Sequence, residues 1–423
     1  MITRGMSANL ALDQEINRRR ARGERLLHLG FGEARLPVHS GLVQALLAGA
    51  DRRAYGPVAG DEAARAAVAG YFGRRRLPTE ADQVVLAPGS KPLLFALIAA
   101  ADGDLVLPRP SWLTYAPQAR LLGRRVFWVD IPVECGGVPD PDLLASAVRR
   151  ARAEGGDPQL LIMALPDNPT GTTAPPGVVR RICDVAAAYD LTMVADEIYR
   201  DLAHDPDRDY LSPAEVAGDR TVITTGLSKT HALGGWRAGA ARFPAGARGE
   251  LLRSRVLATA SEVWSSLAGP VQSVVEYAFG EPPDLAAYVR AGARMHAAAT
   301  QAVHQVMVAA GANCRPPSGG FYVYPDFHHL AGDLARQGVH DSASLERELL
   351  RTCGIAVLGG HHFGDDPAAL RFRAATSLLF GDEPEAYREA MEAEDPMGLS
   401  VAKDALRQLA DGLARLTDGP ERR

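Results

Sequence analysis

The chain has 423 residues, of which 47% are apolar, and its 46 basic and 51 acidic side chains leave a net charge of −5. A chain of this size can bury a large core, so we expect two domains or one large domain with a smaller one. The scattered charges exclude the basic stripe or tail of a nucleic-acid-binding protein. Only three of the basic residues are lysines, namely Lys91, Lys229 and Lys403.

The sequence shows neither a membrane anchor nor a metal-binding motif. Its longest apolar stretch, from about Leu93 to Ala101, is far shorter than the roughly 20 residues that cross a bilayer. The first 27 residues lack the apolar core of a signal peptide. The four cysteines lie far apart, with no spacing typical of metal ligands, at Cys135, Cys183, Cys314 and Cys353. We expect a cytoplasmic protein with reduced thiols and no metal centre.

Short apolar runs alternate with helical patterns over the first two thirds of the chain. The predicted strands lie at 83–87, 104–108, 125–130, 160–165, 191–196 and 221–225. The predicted helices lie at 61–76, from 90 onward, and at 113–123, 140–153 and 176–189. This alternation is typical of a parallel, doubly wound α/β sheet. Beyond residue 282 we predict long helices, a strand at 319–325 and a last helix at 400–416.

Polar residues follow these strands at the edge where parallel sheets bind their ligands. After strand 83–87, the turn Pro88-Gly89-Ser90-Lys91 opens a helix, whose first backbone amides can bind an anion such as a phosphate. An ordinary turn with a Ser N-cap is the alternative. The GxxxxGK[ST] spacing of a P-loop is absent.

Three further turns carry candidate side chains that are weak signals alone. Asn168 follows strand 160–165 in an Asn-Pro-Thr-Gly sequence that is also typical of a simple chain reversal. Asp196 ends an apolar strand, where a buried acid needs a cation or a donor, with a helix N-cap as the alternative. Lys229 and Arg237 follow strand 221–225, and a solvated lysine and a surface ion pair are the alternatives there.

The order and spacing of these residues are far more specific than any one of them. Intervals of 28, 3, 30 and 8 residues separate Asn168, Asp196, Tyr199, Lys229 and Arg237. Further motifs are Tyr55-Gly56-Pro57 with Gly60, Pro110-Ser111-Trp112, Pro317-Ser318-Gly319-Gly320-Phe321-Tyr322 and Arg371. From about Leu27 to Ser377 the chain resembles the class I/II aminotransferases, which are fold-type I enzymes that use pyridoxal 5′-phosphate (PLP).

The resemblance implies a fold and a domain division. The expected α/β fold has a large PLP-binding domain at residues 46–290, with a mostly parallel central sheet flanked by helices. Both chain ends, 1–45 and 291–423, are expected to form a smaller α/β domain. The family's shared active sites further imply a homodimer, in which Tyr55 reaches the cofactor phosphate of the second subunit.

The resemblance also implies the cofactor-binding residues. Lys229 matches the Schiff-base lysine, and PLP chemistry requires such a primary amine. Asp196 matches the carboxylate that keeps the pyridine nitrogen protonated, and Trp112 matches the aromatic residue that stacks on the ring. Asn168 and Tyr199 match the partners of the phenolic oxygen. The remaining cofactor contacts, mostly to the phosphate, are assigned to Gly89, Ser90, Lys91, Ser228 and Arg237.

Substrate binding is assigned to Gly32, Asn168 and Arg371. Arg371 matches the family's arginine for the α-carboxylate, because a guanidinium offers two parallel donors to that group. Arg373 is a rival, since it lies two residues on and therefore on the same face of a strand. Phe31, Glu33, His231 and Trp264 are candidate pocket walls, with packing or surface positions as the alternative.

The function implied is transfer of an amino group between an L-amino acid and a 2-oxo acid by a ping-pong mechanism. Lys229 would serve as anchor and as acid/base catalyst. The alternative is another PLP reaction on an amino acid by a lyase, cyclase or oxidase of specialised metabolism. The substrates stay open, because no motif locates the second arginine of dicarboxylate-specific members. Gly226 stands where many relatives have a hydroxyl residue, and Thr225 or Ser228 could replace its phosphate contact.

Overall fold

The computed structural model describes residues 7–205 and 209–417. The outermost parts of the predicted small domain, 1–6 and 418–423, and the start of the segment tested for a signal peptide lie outside the described residues. No helix in the described part of the chain combines the length and the apolar character that a membrane crossing requires.

The elements of the described residues are numbered in chain order. The strands are β1 (Leu27–His28), β2 (Val84–Ala87), β3 (Asp104–Arg109), β4 (Val126–Asp130), β5 (Pro158–Ala164), β6 (Thr192–Asp196), β7 (Thr221–Gly226), β8 (Gly239–Arg242), β9 (Asn313–Cys314), β10 (Tyr322–Val323), β11 (Pro325–Asp326), β12 (Ile355–Ala356), β13 (Leu358–Gly359) and β14 (Phe372–Ala375). The helices are α1 (Ala8–Arg20), α2 (Ser40–Ala48), α3 (Glu62–Gly73), α4 (Ser90–Ala100), α5 (Tyr115–Leu121), α6 (Pro141–Ala153), α7 (Pro176–Ala188), α8 (Pro213–Val216), α9 (Ala247–Val263), α10 (Gly269–Gly280), α11 (Pro283–Ala309), α12 (Ala331–Ala335), α13 (Ser342–Glu348), α14 (Pro384–Glu392) and α15 (Ser400–Thr417).

A seven-stranded sheet forms the centre of the described chain, in the order β2-β8-β7-β6-β5-β3-β4. The pairs from β7 to β4 are parallel, whereas β8 is antiparallel to both of its neighbours. The mostly parallel α/β fold is therefore confirmed, and the six predicted strands begin and end within two residues of their expected bounds. The sequence analysis missed β8, whose residues Gly-Ala-Ala-Arg lack the β-branched and aromatic side chains that favour strands.

Both faces of this sheet are covered, which explains why its strands are apolar without polar alternation. Val84 and Leu86 of β2 pack into a core with α3 and α10, while Val85 and Ala87 pack into a second core with α4 and α9. The alternation of side chains along a strand sends neighbouring residues to opposite faces. Polar groups are consequently left to the strand ends.

Residues from both chain ends build smaller sheets beside the central one. Leu27 of β1 pairs in parallel with Ile355 of β12, and β14 lies between β10 and β13. The predicted division at 45/46 and 290/291 stays a prediction. The 27-residue helix α11 runs through position 290, so one continuous helix connects the two parts. The last predicted helix corresponds to α15, and the strand expected at 319–325 is reduced to the short strand β10.

Candidate active site

A cavity of about 400 Å³ opens beyond the carboxyl ends of β5, β6 and β7. Its lining combines residues of the central sheet with Arg373 on β14 and with the segment that follows β1. Among the predicted site residues, those in the lining are Gly32, Ser90, Lys91, Trp112, Asn168, Asp196, Tyr199, Ser228, Lys229 and Arg237. The fold thus brings together residues that are distant in the sequence: Arg373 hydrogen-bonds the side chain of Asn168, 205 positions away, and the carbonyl oxygen of Gly30, 343 positions away.

Lys229 lies partly buried in the loop that follows β7, with its side chain in the cavity. Its ammonium group donates a short hydrogen bond to the carbonyl oxygen of Gly32. Burial, and after it the positive charge of Arg373, lower the pKa of Lys229 to about 8. A substantial fraction of the amine is therefore neutral near physiological pH, as a nucleophile or a proton acceptor requires.

Asp196 forms the buried acidic end of β6. Its two carboxylate oxygens accept hydrogen bonds from the Tyr115 hydroxyl at 2.8 Å and from the Thr224 hydroxyl at 3.1 Å. Burial raises the pKa of Asp196 to about 6, because the charged form loses hydration that these two donors replace only in part. A protonated ring nitrogen in this cavity would find in Asp196 a carboxylate that is mostly ionised at neutral pH.

Hydroxyl and amide groups form a connected network on the wall beside Lys229. The hydroxyl groups of Tyr199 and Tyr322 lie 2.6 Å apart, and the Asn168 amide nitrogen lies 3.5 Å from the Tyr322 hydroxyl. Arg373 donates to the Asn168 side-chain oxygen at 3.1 Å and to the Gly30 carbonyl at 2.8 Å. This network fixes the orientation of a fully buried guanidinium that has no carboxylate partner among these contacts.

The turn before α4 has the shape expected of an anion-binding site. Gly89 has φ +95°, a value that favours glycine, and a Cβ atom there would collide with the guanidinium of Arg237. Arg237 donates hydrogen bonds to the carbonyl oxygens of Gly234 at 2.8 Å and Pro88 at 3.3 Å. The Lys91 ammonium lies 5.4 Å from the centre of the Trp112 ring. Two positive charges and the first amides of α4 therefore converge on one point.

The structure corrects the assignment of Arg371. Arg371 lines a separate cavity of about 450 Å³, where it donates to Asp326 at 2.8 Å and to Asp365 at 3.2 Å. Arg371 directly precedes β14 and continues its extended run through a bridge to Asp326, whereas Arg373 lies within β14, two residues further along the chain. Arg371 is neutralised by two acids, whereas Arg373 faces the cavity of Lys229. Arg371 therefore does not line the cavity that holds Lys229.

Two other predicted site residues, Tyr55 and Gly89, do not line the cavity. Tyr55 is 92% exposed and does not line the cavity of its own chain, which is the position that a residue reserved for a second subunit requires. Gly89 lies behind Ser90, and a side chain at Gly89 would meet Arg237. Gly32 contributes its carbonyl oxygen, and a Cβ atom at Gly32 would collide with the Tyr322 hydroxyl.

Several residues of the site have roles that the sequence analysis missed. Tyr322 ends the motif that begins at Pro317, but the contact between its hydroxyl and that of Tyr199 was not predicted. Tyr115 and Thr224 hold Asp196, and the only signal for Thr224 was its place two residues before Gly226 at the end of β7. Gly226 itself is explained by packing, because a Cβ atom there would lie 2.6 Å from the carbonyl oxygen of Ala238.

Among the candidate pocket walls, Phe31 and Glu33 line the cavity. His231 is buried and lines a different cavity, and Trp264 packs against the core beside α4 and α9. Ser228 lines the cavity, whereas Thr225 is buried in β7 and does not. Ser228, and not Thr225, is therefore placed to replace the phosphate contact of the hydroxyl residue that many relatives have at position 226.

Comparison with known proteins identifies the family. The model for aminotransferase class I and II matches residues 25–378. The chain belongs to this family. Its members use PLP, and the chain is accordingly a PLP-dependent aminotransferase of fold type I.

Alignments with individual relatives cover most of the chain. This aminotransferase is 28% identical over 367 residues to the aspartate/prephenate aminotransferase of Thermus thermophilus, and the alignment covers 84% of this chain and 89% of that protein. It is 30% identical over 384 residues to the arginine–pyruvate transaminase of Pseudomonas aeruginosa, covering 87% and 88%. The solved structure of Thermus thermophilus aspartate aminotransferase with maleate matches with a TM-score of 0.81 at 25% identity, over 96% of this chain and 97% of that one.

The residues present fit PLP. The cavity offers a lysine of lowered pKa, a buried carboxylate, an aromatic ring at Trp112 and a cationic turn at the start of α4. These groups match an aldehyde, a ring nitrogen, a ring face and a phosphate, respectively. At this turn the φ of +95° favours glycine at position 89, and a Cβ atom there would displace the guanidinium of Arg237.

The pKa of Lys229 generates a prediction for the apoenzyme. Attachment of PLP needs the neutral amine, so its rate should rise with pH to a midpoint near 8 rather than 10.5. The rate is measured by stopped-flow absorbance, with a free primary amine of ordinary pKa in parallel. Arg373→Gln should move the midpoint to higher pH because it removes a positive charge. An unchanged midpoint in the variant would show that Arg373 exerts no field on Lys229.

The lowered pKa of Lys229 also makes the stability of the apoenzyme depend on pH. Because the pKa of Lys229 is lower in the folded chain than in the unfolded one, the unfolded chain binds more protons between about pH 8 and 10.5. The free energy of unfolding of the apoenzyme therefore increases as the pH rises from about 8 to 10.5. Burial of Lys229 destabilises the folded chain most below pH 8, where the buried amine is charged.

Proposed function

We propose that this aminotransferase exchanges the amino group of an L-amino acid for the oxo group of a 2-oxo acid, with Lys229 as anchor and proton carrier and Arg373 as carboxylate-binding residue. One observation carries the proposal: the lysine of lowered pKa shares a single cavity with Asp196, Asn168, Tyr199 and Arg373. The proposal assigns roles to this chain's own residues within the family's known reaction.

PLP, when bound, supplies an aldehyde for the substrate amine and a ring that accepts the electrons released at Cα. Lys229 is the base that takes the proton from Cα of the amino acid. It then returns this proton to the carbon on the opposite side of the substrate nitrogen. Asp196 would keep a proton on the ring nitrogen by its negative charge. Asn168 and Tyr199 would donate to the phenolic oxygen, and the turn at Gly89 together with Arg237 would hold the phosphate.

Arg373 suits the α-carboxylate for two reasons. Its Nε atom is buried and has no hydrogen-bond partner among the described residues, so a donor is left for a ligand. Within residues 7–205 and 209–417, its two terminal nitrogens bond to the neutral oxygens of Asn168 and Gly30, and no carboxylate forms an ion pair with it. A buried guanidinium of this kind is strongly stabilised by an incoming carboxylate.

We assign the substrates only as an α-amino acid and a 2-oxo acid. The relatives are named for aspartate, prephenate and arginine, so side chains of opposite charge occur within the same family. We further propose that the enzyme acts in the cytoplasm as a homodimer. Its four cysteines are free thiols, as a reducing compartment requires, and the exposed Tyr55 is placed to serve a partner's site.

Single-turnover chemistry tests the reaction. Holoenzyme given an amino acid without acceptor should release about one equivalent of 2-oxo acid per chain and then stop until a 2-oxo acid is added. Lys229→Ala should release none and lack the visible absorbance of the lysine-linked cofactor, whereas Lys403→Ala, at an exposed position, should behave like wild type. Continuous release of ammonia or pyruvate without acceptor would instead establish a lyase, cyclase or oxidase.

Arg371 and Arg373 provide a matched pair of variants. Arg373→Gln should lower kcat/KM roughly 10- to 100-fold, mainly through KM for both substrates, because it removes a charged hydrogen-bond donor. Arg371→Gln should leave KM within about twofold and lower the thermal midpoint, since it breaks two ion pairs outside the cavity. The reverse pattern of KM values would restore Arg371 as the carboxylate-binding residue.

Mixed dimers test the shared site. Tyr55→Glu should weaken PLP binding by placing a negative charge near the partner's phosphate, and its exposure makes the fold indifferent to the change. Mixing Tyr55→Glu chains with Lys229→Ala chains creates heterodimers that have one intact site. Activity should then recover to about one quarter of wild type after subunit exchange. Activity that stays at the average of the two separate variants would show that each site is formed by one chain.

A further inference from the structure

A second cluster of ligand-type side chains lies outside the active-site cavity. Glu346 belongs to α13, and His361 and His362 lie in the single 3-10 turn Gly360–Phe363 that follows β13. All three are partly buried, and each offers a ligand atom such that these atoms lie within 4.8 Å of one another. None of the three lines the cavity of Lys229, and none has a role in the proposed reaction.

Two of the three ligand atoms already lie at the separation that one metal ion imposes. His362 Nε2 lies 3.0 Å from Glu346 Oε2, and the His361 and His362 ring centres are 3.9 Å apart. Neighbouring ligands at about 2.05 Å from a tetrahedral ion are about 3.3 Å apart. All three ligand atoms lie within 4.8 Å of one another, so the third is close to the same range.

The supporting contacts resemble those around protein metal sites, where a second partner orients each ligand. The buried Ser342 hydroxyl lies 2.8 Å from His361 Nδ1 and donates to the Pro367 carbonyl at 3.3 Å. Because its proton is used by Pro367, Ser342 accepts from His361 Nδ1–H, which leaves the lone pair on Nε2. The backbone N–H of Gly359 donates to Glu346 Oε2 at 2.7 Å and so holds the carboxylate in place.

We propose that Glu346, His361 and His362 bind a divalent cation of the zinc type, with water at the remaining position. Two imidazoles and one carboxylate are a ligand set that Zn²⁺ accepts, whereas Mg²⁺ and Ca²⁺ prefer oxygen ligands throughout. The ion would connect α13 to the turn that carries Phe363. The Phe363 ring centre lies 4.9 Å from the Arg373 guanidinium carbon, so the metal stiffens a support of the active site.

Calorimetric titration of the tag-free holoenzyme with ZnCl₂, after treatment with a chelator, tests the site. Wild type should bind about one Zn²⁺ per chain, and His361→Ala/His362→Ala should lose at least about 100-fold in affinity. The matched control is His328→Ala/His329→Ala, which removes an exposed pair of adjacent histidines and should bind like wild type. Equal binding by the wild type and the His361/His362 variant would overturn the proposal.

Two further measurements separate a metal site from a general effect of lost histidines. Glu346→Gln keeps an acceptor for the Gly359 N–H but removes the charge, and its Zn²⁺ affinity should fall roughly 10- to 100-fold. Co²⁺ should give the intense visible bands of a four-coordinate ion in wild type and in the His328/His329 control only. Bands of a six-coordinate hydrated ion in wild type, or an unchanged thermal midpoint with saturating Zn²⁺, would contradict the assigned ligands.

Discussion

A buried hydrogen bond between Arg373 and Asn168 helps to join the two sheet systems of this enzyme in the cavity of Lys229. Arg373, on the small sheet, donates to the side chain of Asn168, which follows a strand of the central sheet. The guanidinium is buried, and its hydrogen-bond partners among the described residues are neutral oxygens, so no ion pair within those residues compensates its charge in the cavity. That charge lowers the pKa of Lys229, and in the proposed function it also attracts the substrate carboxylate. Under that proposal, substrate binding and the protonation state of the Lys229 amine depend on one side chain.

The low dielectric of the cavity moves two pKa values toward neutrality from opposite sides. Asp196 is raised to about 6 and Lys229 is lowered to about 8, in both cases chiefly by burial. The donors Tyr115 and Thr224 keep the pKa of Asp196 from rising further, whereas Lys229 hydrogen-bonds a neutral carbonyl oxygen, that of Gly32. An arginine at position 229 would remain charged throughout this range, which explains why an arginine-rich chain retains a lysine here.

The sequence could predict the central sheet and the residues at its strand ends, because a parallel sheet buried on both faces has an obvious apolar pattern. It could not predict β8, whose small residues pair well only because both neighbouring strands are already in place. It also could not separate Arg371 from Arg373, since the two lie two residues apart on one extended run. Asp326 and Asp365, which come from other elements, decide the matter by pairing with Arg371. Contacts of this kind exist only after folding.

Residues near both chain ends support the active site through packing. Strand β1 pairs with β12, and this pairing positions the segment that follows it, whose Gly30 and Gly32 carbonyls accept from Arg373 and Lys229. Helix α15 lies beyond the residues matched by the family model, yet Leu409 and Leu413 are fully buried in the same core as Leu27 and Ile355. Helix α15 thus contributes to the site through packing: it buries the short strand pair that precedes the two carbonyl oxygens bonded by Lys229 and Arg373.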